Sequence, residues 1–394
     1  MLVRRQREHY MRICFIIEYY YPHVGGAEVL FQNLAEGLVK AGHTCEVVTC
    51  RLPGTRKDEE INGVRVHRVW VPRFGDRYWF TLASVFAAIG HAKRADIIHT
   101  MVYNGAFPAK IAALFRKKPV VIHVFEVIRS KWRSIGINPL LALIFRSVES
   151  IVLSIPFDAY SCISLSTRQA LLDKGIPESR LFLAYPGIDY ALFDPQRISI
   201  SNDKIRHRLG IAHDVFMYTY YGRPGFVKGL QYLIAAVPLI KKQIPRAILL
   251  LILSKKPESG RSRLMSLAQD MHLQSGKDII VIDPVPRDEL PAYIASSDCI
   301  VVPSLSEGFG FTCAEACAMK RPVVATTVGS LPEAISGRFV LVEPANADAI
   351  AEGVVRISRN AYQQSDEKRF LWEEHVGKHE KVYRNLIEGR TIIS

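Results

Sequence analysis

The sequence predicts an α/β protein of two doubly wound, Rossmann-like domains that face each other across a cleft. Three observations carry this. At 394 residues the chain is too long for one ordinary core, and length alone points to two or three domains. From Met11 onward, short apolar runs alternate with helix-period segments, the order of a mainly parallel sheet covered on both faces. A turn-rich stretch, "YPGIDYALFDP" (185–195), then interrupts the alternation, and the pattern starts afresh beyond it.

The leader "MLVRRQREHY" (1–10) lacks the apolar core of a signal peptide and reads as an arm. The first domain, 11–190, opens with the strand run "RICFII", then Gly25-Gly26, then "AEVLFQNLAEGLVKAG", an amphipathic helix closed by Gly42. "TCEVVTC", "VRVHRVW", "ADIIHT" and "PVVIHVF" are further strand runs. Residues 137–153, "INPLLALIFRSVESIVL", form a long apolar-faced helix, and "AYSCIS" is another strand. In the second domain, 191–394, the strand "VFMYTYYG" leads through a glycine-rich loop into the helix "GLQYLIAAVPLIKK". "AILLLIL", "DIIVIDP", "CIVVPS", "PVVATT" and "FVLVEP" follow, each a buried-strand run with a helical stretch after it; the last helix is free to cross back to the first domain.

Hydrophobic residues at 49% and charged residues at 23% make an ordinary globular composition, which excludes disorder. The formal net charge is +13, and +9 of it falls before residue 191. Such a surface points to an anionic partner or to a solvated basic face. The seven cysteines form no CxxC and lie mostly in apolar runs, so they read as buried thiols in a reducing compartment. "WFTLASVFAAIG" (79–90) is too short to span a bilayer.

The chemistry-bearing stretches fall at strand ends, where doubly wound sheets bind ligands. In "YYGRPGFVKGL", Gly222, Arg223 and Lys228 precede a helix start, and cations beside helix amides form an anion site. In "SEGFGFTCAEA", Gly308 and Gly310 let backbone approach a ligand, while Glu307 and Glu315 are placed to accept hydrogen bonds from two diols. The bland alternative is a capping acid and a surface acid. "TTVGSLPEA" adds a small-residue loop to the same rim.

Together, "GRPGFVKG", "SEGFGFTCAEACAMKRPVVAT" and "VGSLPEAI" closely resemble the donor site of glycosyltransferase family 4, retaining nucleotide-sugar enzymes of the GT-B fold. "YYPHVGGAEVLFQNLAEGLVKAGHTCEVVT" and "SCISLSTRQALLDKGIPESRLFLAYPGID" are similar to the two ends of that family's first domain, so the resemblance spans roughly 11–390. It implies that Glu307 faces the donor sugar and Glu315 holds the ribose, with Arg223 and Lys228 on the diphosphate. Backbone amides around Phe309, Gly310 and Phe311 would meet sugar and phosphate, and Gly25-Gly26 would close on them from the first domain. One departure bears on the chemistry. The family carries a histidine and then an acid after "PVV"; here "PVVIHVFEV" puts Phe125 and Glu126 there, with His123 two residues early and His99 a second candidate.

The resemblance implies a sugar transfer from a nucleoside diphosphate to an acceptor hydroxyl with no cofactor. No Asp-x-Asp occurs in the chain, so a metal-chelated diphosphate is not expected. A non-catalytic nucleotide-sugar or glycan-binding protein is the alternative that Phe125 raises, and an epimerase of the same fold is a more distant one. Nucleic acid is suggested only by charge, without an aromatic-rich basic motif. "FRKKP" (115–119), "RSKWRSIGINPLLALIF" (129–145) and "RRQR" (4–7) join bases to apolar residues, the composition of a surface that rests on anionic lipid. On that reading the protein is cytoplasmic and peripheral, with a lipid-linked or glycan acceptor; if Trp132 and the leucines face the core, the bases are merely solvated.

Overall fold

The computed structural model describes residues 10–23, 25–128, 138–198, 200–255 and 258–392. The chain divides into two compact units: one takes the described residues up to Gly187 together with Phe370–Ile392, the other takes Ile188–Arg369. The arm and the 129–137 stretch, including Arg129, Lys131, Trp132 and Arg133, lie outside the described residues.

The first unit runs β1 (Arg12–Ile16), α1 (Gly26–Lys40), β2 (Thr44–Cys50), β3 (Asp58–Ile61) and β4 (Val64–Val69). It continues through α2 (Asp76–Ala83), α3 (Val85–Ala92), β5 (Ile97–Met101), α4 (Ala106–Arg116) and β6 (Val120–Val124). α5 (Pro139–Ser154), β7 (Ala159–Cys162), α6 (Leu165–Leu172) and β8 (Leu181–Leu183) complete it. The sheet order is β3-β4-β2-β1-β5-β6-β7-β8, parallel except at the β3 edge. The chain moves outward on one side of β1 and then returns to place β5 on the other, so β1 and β5 flank the switch point.

Sequence dictates these elements locally. α1 buries Leu30, Phe31, Leu34 and Leu38, spaced to form one helical stripe; a side chain so buried contributes about 1.5–3 kcal/mol. α5 starts because Asn138 Oδ1 accepts from the Leu140 amide at 2.8 Å and Pro139 pre-sets the first turn. Amphipathy in α5 does not match a buried role. Ala142, Glu149, Val152 and Leu153 face inward, while Leu140 (66% exposed), Leu143, Ile144 and Ile151 (55%) face solvent.

The second unit contains α7 (Asn202–Arg208), β9 (Phe216–Gly222), α8 (Leu230–Gln243), β10 (Ala247–Leu253), α9 (Glu258–Asp270) and β11 (Ile279–Ile282). α10 (Leu290–Ser296), β12 (Cys299–Val302), α11 (Phe311–Ala318), β13 (Val323–Thr326) and α12 (Leu331–Ala334) follow. β14 (Gly337–Val342), α13 (Ala347–Ser358) and the short antiparallel β15 (Gln363–Ser365) close the sheet. Its order is β11-β10-β9-β12-β13-β14-β15, which puts the switch point between β9 and β12. β9, β10 and β12 are buried on both faces, as their unbroken apolar runs require.

The final helix, α14 (Trp372–Ile387), belongs to the first unit and packs on α1. Its buried side is partly polar, with His375 and His379 alongside Val376, Val382 and Tyr383. All seven cysteines are buried and free. No helix of the described residues is long and apolar enough to cross a membrane.

Candidate active site

In the second unit, the loops after β9, β12 and β13 converge at the carboxyl end of the sheet. β9 ends at Gly222; Arg223 is exposed, and its carbonyl accepts from Tyr220 Oη at 3.0 Å. A 3-10 turn, Phe226–Lys228, leads to Gly229 and the first turn of α8. Gly229 has φ +66°, and a Cβ there would lie 1.9 Å from the Pro303 carbonyl oxygen. Only glycine permits this approach, which is fixed by the Leu305 amide donating to the Val227 carbonyl at 2.7 Å. The β9 and β12 loops are thereby locked together.

That contact sets the central charge pair. Lys228 Nζ donates to Glu307 Oε1 at 3.0 Å and to Oε2 at 2.8 Å, and Ser304 Oγ donates to Oε2 at 3.0 Å. Glu307 is held from behind as well. The Ser330 amide donates to its carbonyl at 3.3 Å, and Gly329, at φ +51°, passes so near that a Cβ would lie 2.1 Å from that oxygen. Thr326 Oγ1, at the end of β13, donates to the Ser304 carbonyl at 2.6 Å. Glu307 is thus fixed by three loops, its carboxylate by Lys228 and Ser304 and its main-chain carbonyl by the loop after β13.

Gly308, Phe309 and Gly310 carry the chain into α11, with Gly310 left-handed at φ +91° and Phe311 the first helical residue. Glu315, on the second turn, is buried. Burial pushes its carboxyl up to about 7, opposed by the Arg287 guanidinium. Arg287 Nη2 stands 3.8 Å from Glu315 Oε1, and Tyr221 Oη donates to the Thr312 carbonyl at 3.0 Å. The guanidinium also lies 5.6 Å from the centre of the Phe193 ring. An acceptor poised near neutrality, beside a cation and an aromatic ring, suits a polar, flat, hydroxyl-bearing group.

The structure therefore groups Gly222, Arg223, Lys228, Glu307, Gly308, Phe309 and Gly310, on the end of β9 and two adjoining loops, with Phe311 and Glu315 on α11 of the same unit. Lys228 is paired with Glu307 rather than standing beside Arg223 as a second bare cation. Gly25 and Gly26 start α1 in the other unit. Sequence reading missed Arg287, Tyr221 and Ser304. Arg287 carried a signal, being a base just past the strand run "DIIVIDP", the same signal that singled out Arg223. Ser304 and Tyr221 carried none, since a serine and a strand tyrosine are common anywhere.

The first unit has its own polar cluster at its switch point. Glu18, just beyond β1, is buried, accepts from Asn104 Nδ2, and lies 3.5 Å from Arg77 Nη2. Burial raises its carboxyl, while Arg77 and Asn104 pull it back. Neither histidine considered as a replacement for the family histidine reaches a surface. His99 and His123 are wholly buried, whereas Phe125 is only partly buried, its ring tilted against His123 and edge-on to Phe31.

Two family models match. Residues 24–192 fit the model described as Glycosyltransferase Family 4, and 216–360 fit that described as Glycosyl transferases group 1. An uncharacterized glycosyltransferase of Methanocaldococcus jannaschii is 28% identical over 96% of this chain and 99% of its own. D-inositol 3-phosphate glycosyltransferase 1 of Catenulispora acidiphila is 30% identical, over 55% of this chain and 54% of its own. Among solved structures, Anabaena HepE in complex with UDP-glucose superposes with a TM-score of 0.69 at 18% identity, covering 96% of this chain and 98% of that one.

Proposed function

Because the chain is a glycosyltransferase of the family-4 type with the GT-B fold, we propose that it transfers a sugar, with retention, from a nucleoside-diphosphate sugar to an acceptor hydroxyl. The observation that carries this is the pre-built Lys228–Glu307–Ser304 constellation at the β9/β12 switch point, with Glu315 and Arg287 beside it. Glu315 accepts from the ribose diol, and Arg287 with Phe193 flanks the nucleoside. Lys228, Arg223 and the first amides of α11 neutralise the leaving diphosphate, which is where charge develops as the glycosidic bond breaks. Glu307 accepts from a donor-sugar hydroxyl while keeping Lys228 in place, so orientation and charge stabilisation supply the rate. No carboxylate nucleophile is assigned.

The site's own cations take the part that a divalent ion plays elsewhere, consistent with the absence of Asp-x-Asp from the chain. The donor in the HepE structure, UDP-glucose, sets the first candidate to try. The acceptor falls to the first unit, which holds most of the positive charge and the Glu18–Asn104–Arg77 cluster. The outward apolar face of α5 favours a lipid-linked acceptor on an anionic membrane over a free sugar.

The test is a thermal-shift screen of nucleotide-sugars followed by NMR of the product from the donor that stabilises. The expected product keeps the donor's anomeric configuration, and transfer persists through brief EDTA treatment. An inverted product, or activity lost to EDTA and restored by Mg²⁺ or Mn²⁺, overturns the mechanism. Donor binding with neither transfer nor slow donor hydrolysis marks a binding protein instead.

A further inference from the structure

The first unit buries a cluster of histidines that sugar transfer does not use. His99 lies on β5 and His123 on β6; Met101 pairs with His123 in the register, so the two histidines point to the same face of the sheet. α14 crosses that face and inserts His375 and His379, one helical turn apart. All four are fully buried. One ring nitrogen from each of His99, His123 and His379 lies within 4.8 Å of those of the other two.

The hydrogen bonds are asymmetric in an informative way. His379 Nδ1 sits 2.8 Å from the His375 carbonyl, which it can meet only as a donor, so its Nε2 carries the lone pair. Tyr383 Oη holds Nδ1 of His99, and among the described residues His99 Nε2 has no partner and His123 has none at either nitrogen. Ser161 Oγ, on β7, lies 2.9 Å from His379 Nε2. His99, its far nitrogen held by a hydroxyl and its near one bare, and His379, its far nitrogen held by a carbonyl and its near one beside the Ser161 hydroxyl, have the arrangement of metal ligands with their supporting partners. A dry core otherwise has no use for unsatisfied ring nitrogens.

We propose that His99, His123 and His379 bind one zinc-class divalent ion inside the first unit, with Ser161 Oγ or a trapped water as the fourth ligand. Nitrogen with one oxygen in a four-coordinate shell suits Zn²⁺ or Co²⁺ better than Mg²⁺ or Ca²⁺. Bonds of about 2.0–2.1 Å place tetrahedral ligands roughly 3.4 Å apart, so the three rings close in modestly on the ion. Burial depresses the pKa of all three histidines, which keeps them in the neutral form that binds metal. The ion joins β5 and β6 to α14, clamping the C-terminal helix to the sheet. Because the site is enclosed, the ion enters as the chain folds and leaves only when it unfolds.

The test is elemental analysis of the full-length chain, purified, treated briefly with EDTA and desalted. The expected result is about one zinc per chain, released by guanidinium with EDTA. Refolding with equimolar Zn²⁺ should raise Tm above refolding with EDTA, and refolding with Co²⁺ should give the intense visible bands of a tetrahedral nitrogen site. H379Q should lose the metal while H375Q, outside the triad, keeps it. If H379Q does not fold, the wild-type refolding series decides. Less than about a tenth of an equivalent of any transition metal, with identical Tm after refolding with zinc or EDTA, overturns the proposal and leaves a neutral histidine stack.

Discussion

Replacing Lys228 with alanine separates the ion pair it makes with Glu307 from the leaving-group role proposed for the same ammonium. Lys228 meets both Glu307 oxygens, at 3.0 and 2.8 Å, with the two side chains only 23% and 15% exposed. Among the described residues, removing it leaves the Glu307 carboxylate with Ser304 Oγ, and on the proposed reading places an uncompensated carboxylate beside the diphosphate. Deleting one partner of a fully buried pair costs about 3–5 kcal/mol; partial exposure here reduces the expected stability loss to roughly 1–3 kcal/mol. The transition state loses more specifically, because Lys228 would face the charge that forms on the leaving group. Turnover should fall about 10²–10³-fold, or roughly 2.7–4 kcal/mol. The assay is a double-mutant cycle of K228A with E307Q, following urea unfolding and donor hydrolysis or transfer in parallel. E307Q should recover most of the lost stability in the double variant, since no bare carboxylate remains, but little of the lost turnover. If K228A turns over near the wild-type rate, or if E307Q restores turnover together with stability, Lys228 only neutralises Glu307 and the leaving-group role is wrong.

Donor affinity should depend on pH through Glu315. Its folded-state pKa, raised to about 7, lies above the ordinary 4.5, so the unliganded fold loses stability as pH rises from about 4.5 to 7, where the unfolded carboxyl has ionised and the buried one still holds its proton. In the ribose role proposed for it Glu315 accepts as the ionised form, so donor binding by calorimetry should weaken about tenfold per pH unit below 7 and level off above it. E315Q should flatten the profile; a wild-type profile already flat between pH 5.5 and 8 contradicts the ribose role. The apolar face of α5 should carry membrane contact, so L140D with I144D should abolish co-sedimentation with anionic vesicles while leaving thermal stability unchanged. Binding should also fall steeply with salt, each nearby cation adding about 1 kcal/mol. Equal sedimentation with neutral and anionic vesicles would point to a soluble glycan acceptor.

By itself the sequence determined the order of the central strands and helices, the two-unit plan and most of the residues that gather at the carboxyl end of the second sheet. These are local matters. Runs such as "AILLLIL" can be satisfied only by a strand buried on both faces, and glycines with bases at strand ends mark where a parallel sheet exposes amides. The edge strands β3 and β15 escaped notice because edges need no apolar pattern, "DEEI" joining β4 through its backbone and the Asp58–His67 and Glu59–Arg68 pairs, and β8 because "LFL" is too short a run to stand out. Only tertiary structure decided the rest. It joined Lys228 to Glu307, which are 79 residues apart, through a backbone contact that Gly229 permits. It also turned α5 outward, because helical periodicity specifies an apolar stripe but not what faces it. The histidines are the sharpest case. His99 and Tyr383, 284 residues apart, meet because the last helix returns to the first sheet. A lone histidine in an apolar strand carries no sign of its partners, since ligand geometry belongs to the packed chain and not to spacing along it.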